Sequence, residues 1–310
     1  MSLAYKKRYI VAKIESSYGV DAVPTGAANA MQVSNLEPPT FEGKTVSRDL
    51  VRPYFGNSEN LPGNVYQKIT FGIEIAGAGA AGTVPAYGPL LRACAFSETI
   101  SAGVSVVYAP VSSALESITI VYNNDGVNHK LLGCRGTVSL DFSESGIPMF
   151  KFDFTGVYGG ITDVAASSLT LTAFQKPLPV NRTNTPTFTL HSYAAIVEKL
   201  SIDMANTVSF RSLIGGAESV QLTDRKPAGS ISMEATTVAA KDWWTTVKNA
   251  TTASMQLVHG ITAGNIVQID APKVQITSPK YADKDGVTML SAALVLVPNA
   301  SNDEFTLTVK

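Results

Sequence analysis

Apolar and polar residues alternate along much of this chain. Ile69, Phe71, Ile73 and Ile75 fall on one side of a strand, and Thr70, Gly72 and Glu74 on the other. The same period of two runs through Ser117–Ile120, Thr137–Phe142, Phe150–Phe154, Lys199–Asp203, Ser230–Glu234 and Lys273–Thr277. Such alternation predicts half-buried strands. With one face apolar and one polar, the sheets are antiparallel with a wet side, which excludes a parallel sheet buried on both faces. Helical signals are confined to two short segments, AYGPLLRACAF from Ala86 and AKDWWTTVKNA from Ala240.

The order of elements recurs. Near Ser117 the chain reads strand, Gly turn, strand, strand, Gly turn, strand, and near Ser254 it does so again. Ser117 aligns with Ser254, Gly126 with Gly264, Thr137 with Lys273 and Gly146 with Gly286. Upstream, Phe71–Glu74 matches Ile231–Glu234, each followed by one of the helical segments. A repeat of domain size predicts two copies of one module rather than a solenoid. The expected fold is mainly β, with tandem modules over 1–165 and 166–310, each flanked by one short helix. A Pro-rich connector is expected over 159–186, because proline disfavours a central strand.

The polar faces carry Glu74, Asp141, Asp153, Asp203 and Glu234, together with Lys151, Lys199 and Lys273. These residues are either ordinary solvated faces or, if the strands close into a wide barrel, the lining of its bore. The alternation leaves the orientation of each strand open. A second candidate surface is the long segment 40–67, which lacks clean periodicity. Loops of this length in compact domains are usually functional or disordered. Here Tyr54 and Phe55 stand among Arg48, Asp49 and Arg52, and aromatic residues and Arg are enriched in protein interfaces. The alternative is a loop packed on its own domain.

Composition narrows the function. The 310 residues are 45% hydrophobic and 16% charged, with 24 Lys+Arg against 25 Asp+Glu. Nothing in this balance gives the basic field of a nucleic-acid binder. No run approaches the length of a membrane helix, and the basic N-terminal segment is too short and broken for a signal peptide. Cys94 and Cys134 read as buried reduced thiols.

Catalytic motifs fail on inspection. Gly77-Ala-Gly79-Ala-Ala-Gly82 follows a strand, but Thr83-Val-Pro85 separates it from any helix. A dinucleotide site needs the helix to open directly off those glycines. His129, His191 and His259 show no metal-ligand spacing. Trp243 and Trp244 suit either the core of a helix on a sheet or, less simply, sugar stacking. No catalytic, cofactor or metal residue is expected.

The run Ala12-Lys-Ile-Glu15-Ser-Ser-Tyr18-Gly-Val-Asp21-Ala-Val-Pro24, then Val33-Ser-Asn-Leu36 and Arg48-Asp-Leu-Val-Arg-Pro53, resembles the major tail tube proteins of long-tailed (siphovirus-like) bacteriophages. The resemblance implies a β-sandwich or split-barrel module and rings stacked into a hollow tube. It makes 40–67 the inter-ring loop, with contacts at Arg48, Asp49, Arg52, Tyr54 and Phe55. The partners implied are other copies of the chain, a tape-measure protein, tail terminator and tail-tip proteins, and double-stranded DNA in passage. It places the protein in the virion, assembled in the host cytoplasm. Six single modules usually make such a ring, so two modules per chain predict a ring of three. The alternatives are a tail-tip or decoration protein and a glycan-binding β protein.

Overall fold

A computed structural model describes residues 2–310; Met1, the first residue of the expected first module, lies outside them. The first half contains β1 (Arg8–Ile14), α1 (Gly26–Asn29), β2 (Ala30–Met31), β3 (Thr40–Glu42), β4 (Thr45–Ser47), β5 (Asn60–Pro62), β6 (Tyr66–Glu74), α2 (Gly88–Ala93), β7 (Phe96–Ser101), β8 (Ser105–Pro110), β9 (Ile118–Asn124), β10 (Val127–Ser143) and β11 (Met149–Asp163). The second half contains β12 (Thr187–Leu190), β13 (Val197–Asp203), β14 (Asn206–Arg211), β15 (Ser219–Arg225), β16 (Ala228–Glu234), α3 (Trp243–Lys248), β17 (Thr252–His259), β18 (Val267–Lys284), β19 (Val287–Leu296) and β20 (Thr306–Val309). The fold is mainly β, as the alternation predicts.

Two series of strands pair in the same order. In the first half β1 pairs β9, β9 pairs β10, β10 pairs β11, β11 pairs β6 and β6 pairs β3. In the second, β12 pairs β17, then β18, β19, β16 and β13 follow. A hairpin interrupts each series at the same point, β4–β5 in one and β14–β15 in the other. Registers correspond too: Met149 faces Glu74 as Met289 faces Glu234, and Phe152 faces Phe71 as Ala292 faces Ile231. One sequence pairing shifts. Thr277, not Lys273, faces Ala293 as Thr137 faces Asp153, because an irregularity in the β17–β18 pairing adds residues to β18 between Ala271 and Val274.

The halves form one sheet. Residues Ser139–Ser143 of β10 pair with Lys199–Asp203 of β13, and β20 links β18 to β8. Sixteen strands are joined in this way. β10 and β18 are long enough to serve two layers. The first part of β10 pairs β9 and its last part pairs β13. Bulges at His129/Leu131 and Leu132/Arg135 supply the bend, since an extra residue sharpens local twist. Asp125-Gly126 and Asp285-Gly286 close tight hairpins with positive φ at both residues, the backbone that two-residue turns require.

Alternation puts Phe71, Phe150, Phe152 and Phe154 in the core with Tyr87, in a chain of ring contacts 5.1–5.9 Å between centroids. In the second half the corresponding strand positions are smaller, and Trp243 of α3 is the largest buried side chain, 2% exposed. That is the core reading of Trp243, whereas Trp244 stays partly exposed against Tyr281. Both cysteines are buried free thiols.

Several elements differ from the sequence reading. The segment 40–67 is not irregular throughout, since it holds β3, β4, β5 and the start of β6. The connector is shorter than 159–186, because β11 runs to Asp163. The Gly77–Gly82 turn packs on the second half: Gly77 N–H donates to Asn265 Oδ1 (2.9 Å) and Gly79 N–H to the Gly264 carbonyl (2.9 Å). A Cβ on Gly77 would lie 2.1 Å from the Gly264 oxygen, so the glycine serves a close turn-to-turn contact.

Polar contacts hold the halves together. Glu15, 8% exposed, accepts from Gly19 N, Ser117 Oγ, Thr119 Oγ1 and Gly133 N at 2.6–2.9 Å. This fixes the turn that carries Tyr18. The Tyr18 hydroxyl accepts from Val220 N of β15, and the Arg135 guanidinium lies over its ring while donating to the Val220 carbonyl. On the other side Arg225 pairs with the buried Glu304 and donates to the Val111 carbonyl. Removing one member of a buried pair leaves an uncompensated charge. Glu304→Gln is therefore expected to lower the unfolding free energy by about 3–5 kcal/mol, read from urea denaturation. A loss below about 1 kcal/mol would mean that the pair behaves as a solvated one.

Candidate assembly surfaces

The sheet presents one broad polar face. In spatial order its strands are β3, β6, β11, β10, β13, β16, β19 and the last part of β18. Alternation turns Phe71, Phe152, Leu140, Ile202, Ile231 and Leu290 to the core, and leaves their neighbours on the solvent side. All five acids singled out in the sequence, Glu74, Asp141, Asp153, Asp203 and Glu234, occupy this side. So do Lys68, Lys151, Lys199 and Lys280, with Ser139, Ser201, Ser230, Ser232 and Ser291 between them. Lys273 lies before the bend in β18 and is not part of the set.

Charges on this face are largely offset. Lys199 Nζ lies 3.4 Å from Asp141 Oδ2 across the β10–β13 seam, and Lys151 Nζ lies 3.8 Å from Asp153 Oδ2. Lys68 holds Glu42 at 2.9 Å and depresses its carboxyl below the usual range, mainly through that hydrogen bond. Thr70 Oγ1 donates to Asp153 and the Ser201 and Ser230 hydroxyls bond each other. A shallow concavity of about 640 Å³ follows the seam, lined by Asp141, Lys151, Lys199, Ser201, Asp203 and Ser230. It is open and hydroxyl-rich, with none of the enclosed apolar walls of a small-molecule site.

The two ends of this face differ. At one end lie the turns of the β10–β11 and β18–β19 hairpins, where Lys284 Nζ sits 2.9 Å from both Glu144 and Glu198. Those two acids raise the Lys284 pKa, Glu198 contributing most. Exposed apolar side chains cluster at this end: Ile147 and Val287 at corresponding hairpin positions, with Ile196 and Val238. At the other end lie the hairpins β4–β5 and β14–β15. A strand of nine residues such as β6 separates the ends by about 30 Å.

The two hairpins have opposite fates. β14–β15 folds back on the first half: Asn206 donates to the carbonyls of Cys94 and Gly136, Phe210 stacks on Tyr66 at 4.8 Å, and Val220 is fully buried. β4–β5 contacts nothing comparable. Val46 and Leu61 face each other across it, exposed on the face opposite to the one β14–β15 buries. Its tip carries the sequence-predicted contact residues. Arg48 pairs with Glu59, Arg52 donates to the Asn57 carbonyl near the Tyr54 ring, and Asp49 is exposed. Phe55 and Val51 stand free of the chain, 107% and 104% exposed. Ile214, between β14 and β15, is equally exposed at 107%, so both hairpins present an apolar tip to solvent. Sequence reasoning did not single out Val46, Val51, Leu61 or the cluster at the opposite end, because lone apolar residues in turns and three-residue strands carry no periodicity.

Among the described residues no cluster of His, Cys, Asp and Glu could hold a metal ion, and no helix is long and apolar enough to cross a membrane. His191 and His259 are buried, and burial lowers the pKa of both. Each bonds a backbone carbonyl, of Val274 and Leu178, as a satisfied core histidine does. Because Asp141 and Lys199 are half exposed, their pair contributes little stability. Asp141→Asn is expected to change the unfolding free energy by less than about 1 kcal/mol, measured by denaturation. A loss of several kcal/mol would make the pair a structural clamp rather than a surface feature.

No curated protein matches this chain. The family described as phage tail tube protein matches residues 6–295, across both halves and the seam between them. With a mainly antiparallel β fold, one continuous polar face and apolar projections at both ends, the chain belongs to the phage tail tube protein family and is a structural component of the virion.

Proposed function

We propose that this protein assembles into stacked rings that form the hollow tail tube, and that each chain supplies two copies of one module to a ring of three. The observation that carries the reading is the eight-strand run β3-β6-β11-β10-β13-β16-β19-β18, four strands from each half in corresponding order. Three such runs joined edge to edge make a barrel of twenty-four strands, on the order of 40 Å across its backbone. Closure removes the exposed edges that an open sheet leaves as an aggregation hazard.

In this arrangement the polar face lines the bore. Glu74, Asp141, Asp153, Asp203 and Glu234 then face the lumen, partly offset by lysines. Polyanion binding depends on the phosphates that a surface neutralises. A hydroxyl-rich, slightly acidic wall neutralises few, so double-stranded DNA passes during ejection without adhering. The same wall suits a tape-measure protein held before ejection, and the tube ends suit terminator and tail-tip proteins. No active site is needed, because the work is done by many self-contacts.

Stacking joins the unlike ends. The β4–β5 arm, with Val51, Tyr54 and Phe55, meets the hairpin turns of the next ring, where Ile147 and Val287 are exposed. Head-to-tail contact of this kind does not close and therefore propagates a filament. Arg48, Asp49 and Arg52 shape the arm and contribute polar contacts at its tip.

The test is electron microscopy of purified wild-type protein beside the double variant Val51→Asp/Phe55→Asp. Wild type is expected to form hollow tubes. The variant is expected to keep wild-type stability within about 0.5 kcal/mol, since both sites are exposed, but to yield short stacks or single rings. Wild-type protein that never polymerises would overturn the tube and favour a tail-tip or decoration role. Full-length tubes from the variant would remove the arm from the stacking contact.

A further inference from the structure

His259, at the end of β17, is 2% exposed, and its imidazole holds a loop of the connector. Nε2–H donates to the Leu178 carbonyl at 3.2 Å. A carbonyl only accepts, so this bond fixes the tautomer. Nδ1 therefore accepts from the Thr185 hydroxyl, at 2.8 Å. Beside them the Gly260 N–H donates to the Asn184 carbonyl at 2.6 Å. The loop 178–185 is also tied within itself. Asn181 Oδ1 accepts from Thr183 N and Asn184 N, the Asn181 carbonyl accepts from Thr185 N, and Asn184 Nδ2 donates to the Pro179 carbonyl.

The far side of this loop supports the first half. Val180 N–H donates to the Gly146 carbonyl (2.8 Å), and Ser145 N–H donates to the Val180 carbonyl (2.9 Å). Ser145 and Gly146 lie in the β10–β11 turn, and the next residue, Ile147, is 47% exposed at the end of the polar face. The His259 imidazole also meets Phe142 of β10, with centroids 5.8 Å apart. One buried imidazole thus ties the loop, and the loop ties a turn that carries part of the exposed apolar cluster.

We infer that His259 is an acid-sensitive latch: proton uptake at Nδ1 releases the loop 178–185 from β17, frees the β10–β11 turn that the loop supports, and weakens the stacking surface there. The release of the loop and turn stands on the contacts just described, and the effect on stacking rests on the ring reading above. A proton on Nδ1 faces the Thr185 hydroxyl, which must turn from donor to acceptor and lose its own partner. A buried charge also needs a counter-charge, and none faces this imidazole. Arg182 of the loop is exposed, Asp141 of β10 lies on the polar face beside Lys199, and Glu144 and Glu198 hold Lys284. Asp270 of β18 accepts from Gln256 and Gln268 on the opposite side of its strand, and β12 carries no charge.

Burial accordingly lowers the His259 pKa, with the Leu178 bond opposing it. The closed loop binds fewer protons than the open one. It is fully held above the open-state value of about 6.5, and its opening constant rises as the pH falls below that value, by up to about tenfold per pH unit for one proton. His191, the other buried histidine, bonds the Val274 carbonyl, and its own carbonyl accepts from Lys241. It makes no hydrogen bond to the loop or the turn.

The experiment is amide hydrogen exchange on the unassembled full chain at about pH 7.5 and about pH 5.5, on either side of the ordinary histidine value, corrected for the intrinsic pH dependence of exchange. The amides of Ser145, Val180 and Gly260 are expected to lose up to about tenfold in protection at the lower pH, while those of β9 stay protected. The chain has three histidines, so His129→Gln/His191→Gln leaves His259 alone. That double variant is expected to keep the response, and His259→Gln to lose it. Equal protection at both pH values in wild type overturns the latch. So does a response that is absent from the double variant or undiminished in His259→Gln. In assembled protein, the lower pH is expected to shorten wild-type tubes and to leave His259→Gln tubes intact. Wild-type tubes of unchanged length overturn the coupling to stacking. Wild-type protein that makes no tubes at either pH fails the ring reading, and the exchange result still decides the latch.

Discussion

Everything else in this structure depends on five residue pairs between β10 and β13. They turn two half-sheets into one, and they set the angle at which the halves meet. Remove them, and the polar face becomes two separate faces with four bare edges. The supporting contacts act on the same joint. Glu15 gathers four donors to fix the turn carrying Tyr18, and Tyr18 reaches across to β15. Gly133 is forced by this arrangement. Its φ is +57°, and a Cβ there would lie 2.7 Å from the Tyr18 ring. The N-terminal run through Glu15 and Tyr18 is thus the part that clasps one half to the other.

Strict alternation couples the core to the candidate function. The same strands that send Phe71, Phe152, Leu140 and Ile231 inward must send Thr70, Asp153, Asp141 and Ser232 outward. No separate signal is needed to build a polar wall; it is the other half of the signal that builds the core. What the wall's chemistry adds is restraint. Serine hydroxyls bond each other and lysines hold nearby acids, so little charge is left to attract a polyanion.

Long alternating strands were legible in the sequence because each carries its own period, and the Asp-Gly turns were legible because that backbone suits few residues. In the strands that follow Ser117 and Ser254, Ile118 faces Cys134 and Met255 faces Ala271. The elements that escaped are those whose form depends on distant partners. β20 has four residues and owes its pairing to β18 and β8. β7 and β8 sit between the helix and β9 with mixed polarity, and their outer pairing partner is the C-terminal strand. The fold-back of β14–β15 rests on Asn206, Phe210 and Val220, three residues whose partners lie more than sixty positions away. Each acid of the polar face alternates with core residues within its own strand, which the sequence shows, but the common face depends on strand order, which it does not.

The account turns on one count, the number of chains in a cross-section of the assembled tube, obtained by electron cryomicroscopy. It predicts three chains, with near-sixfold density at the bore built from alternating first and second halves. Six chains in the ring, with one half lining the bore and the other outside it, would contradict the account directly.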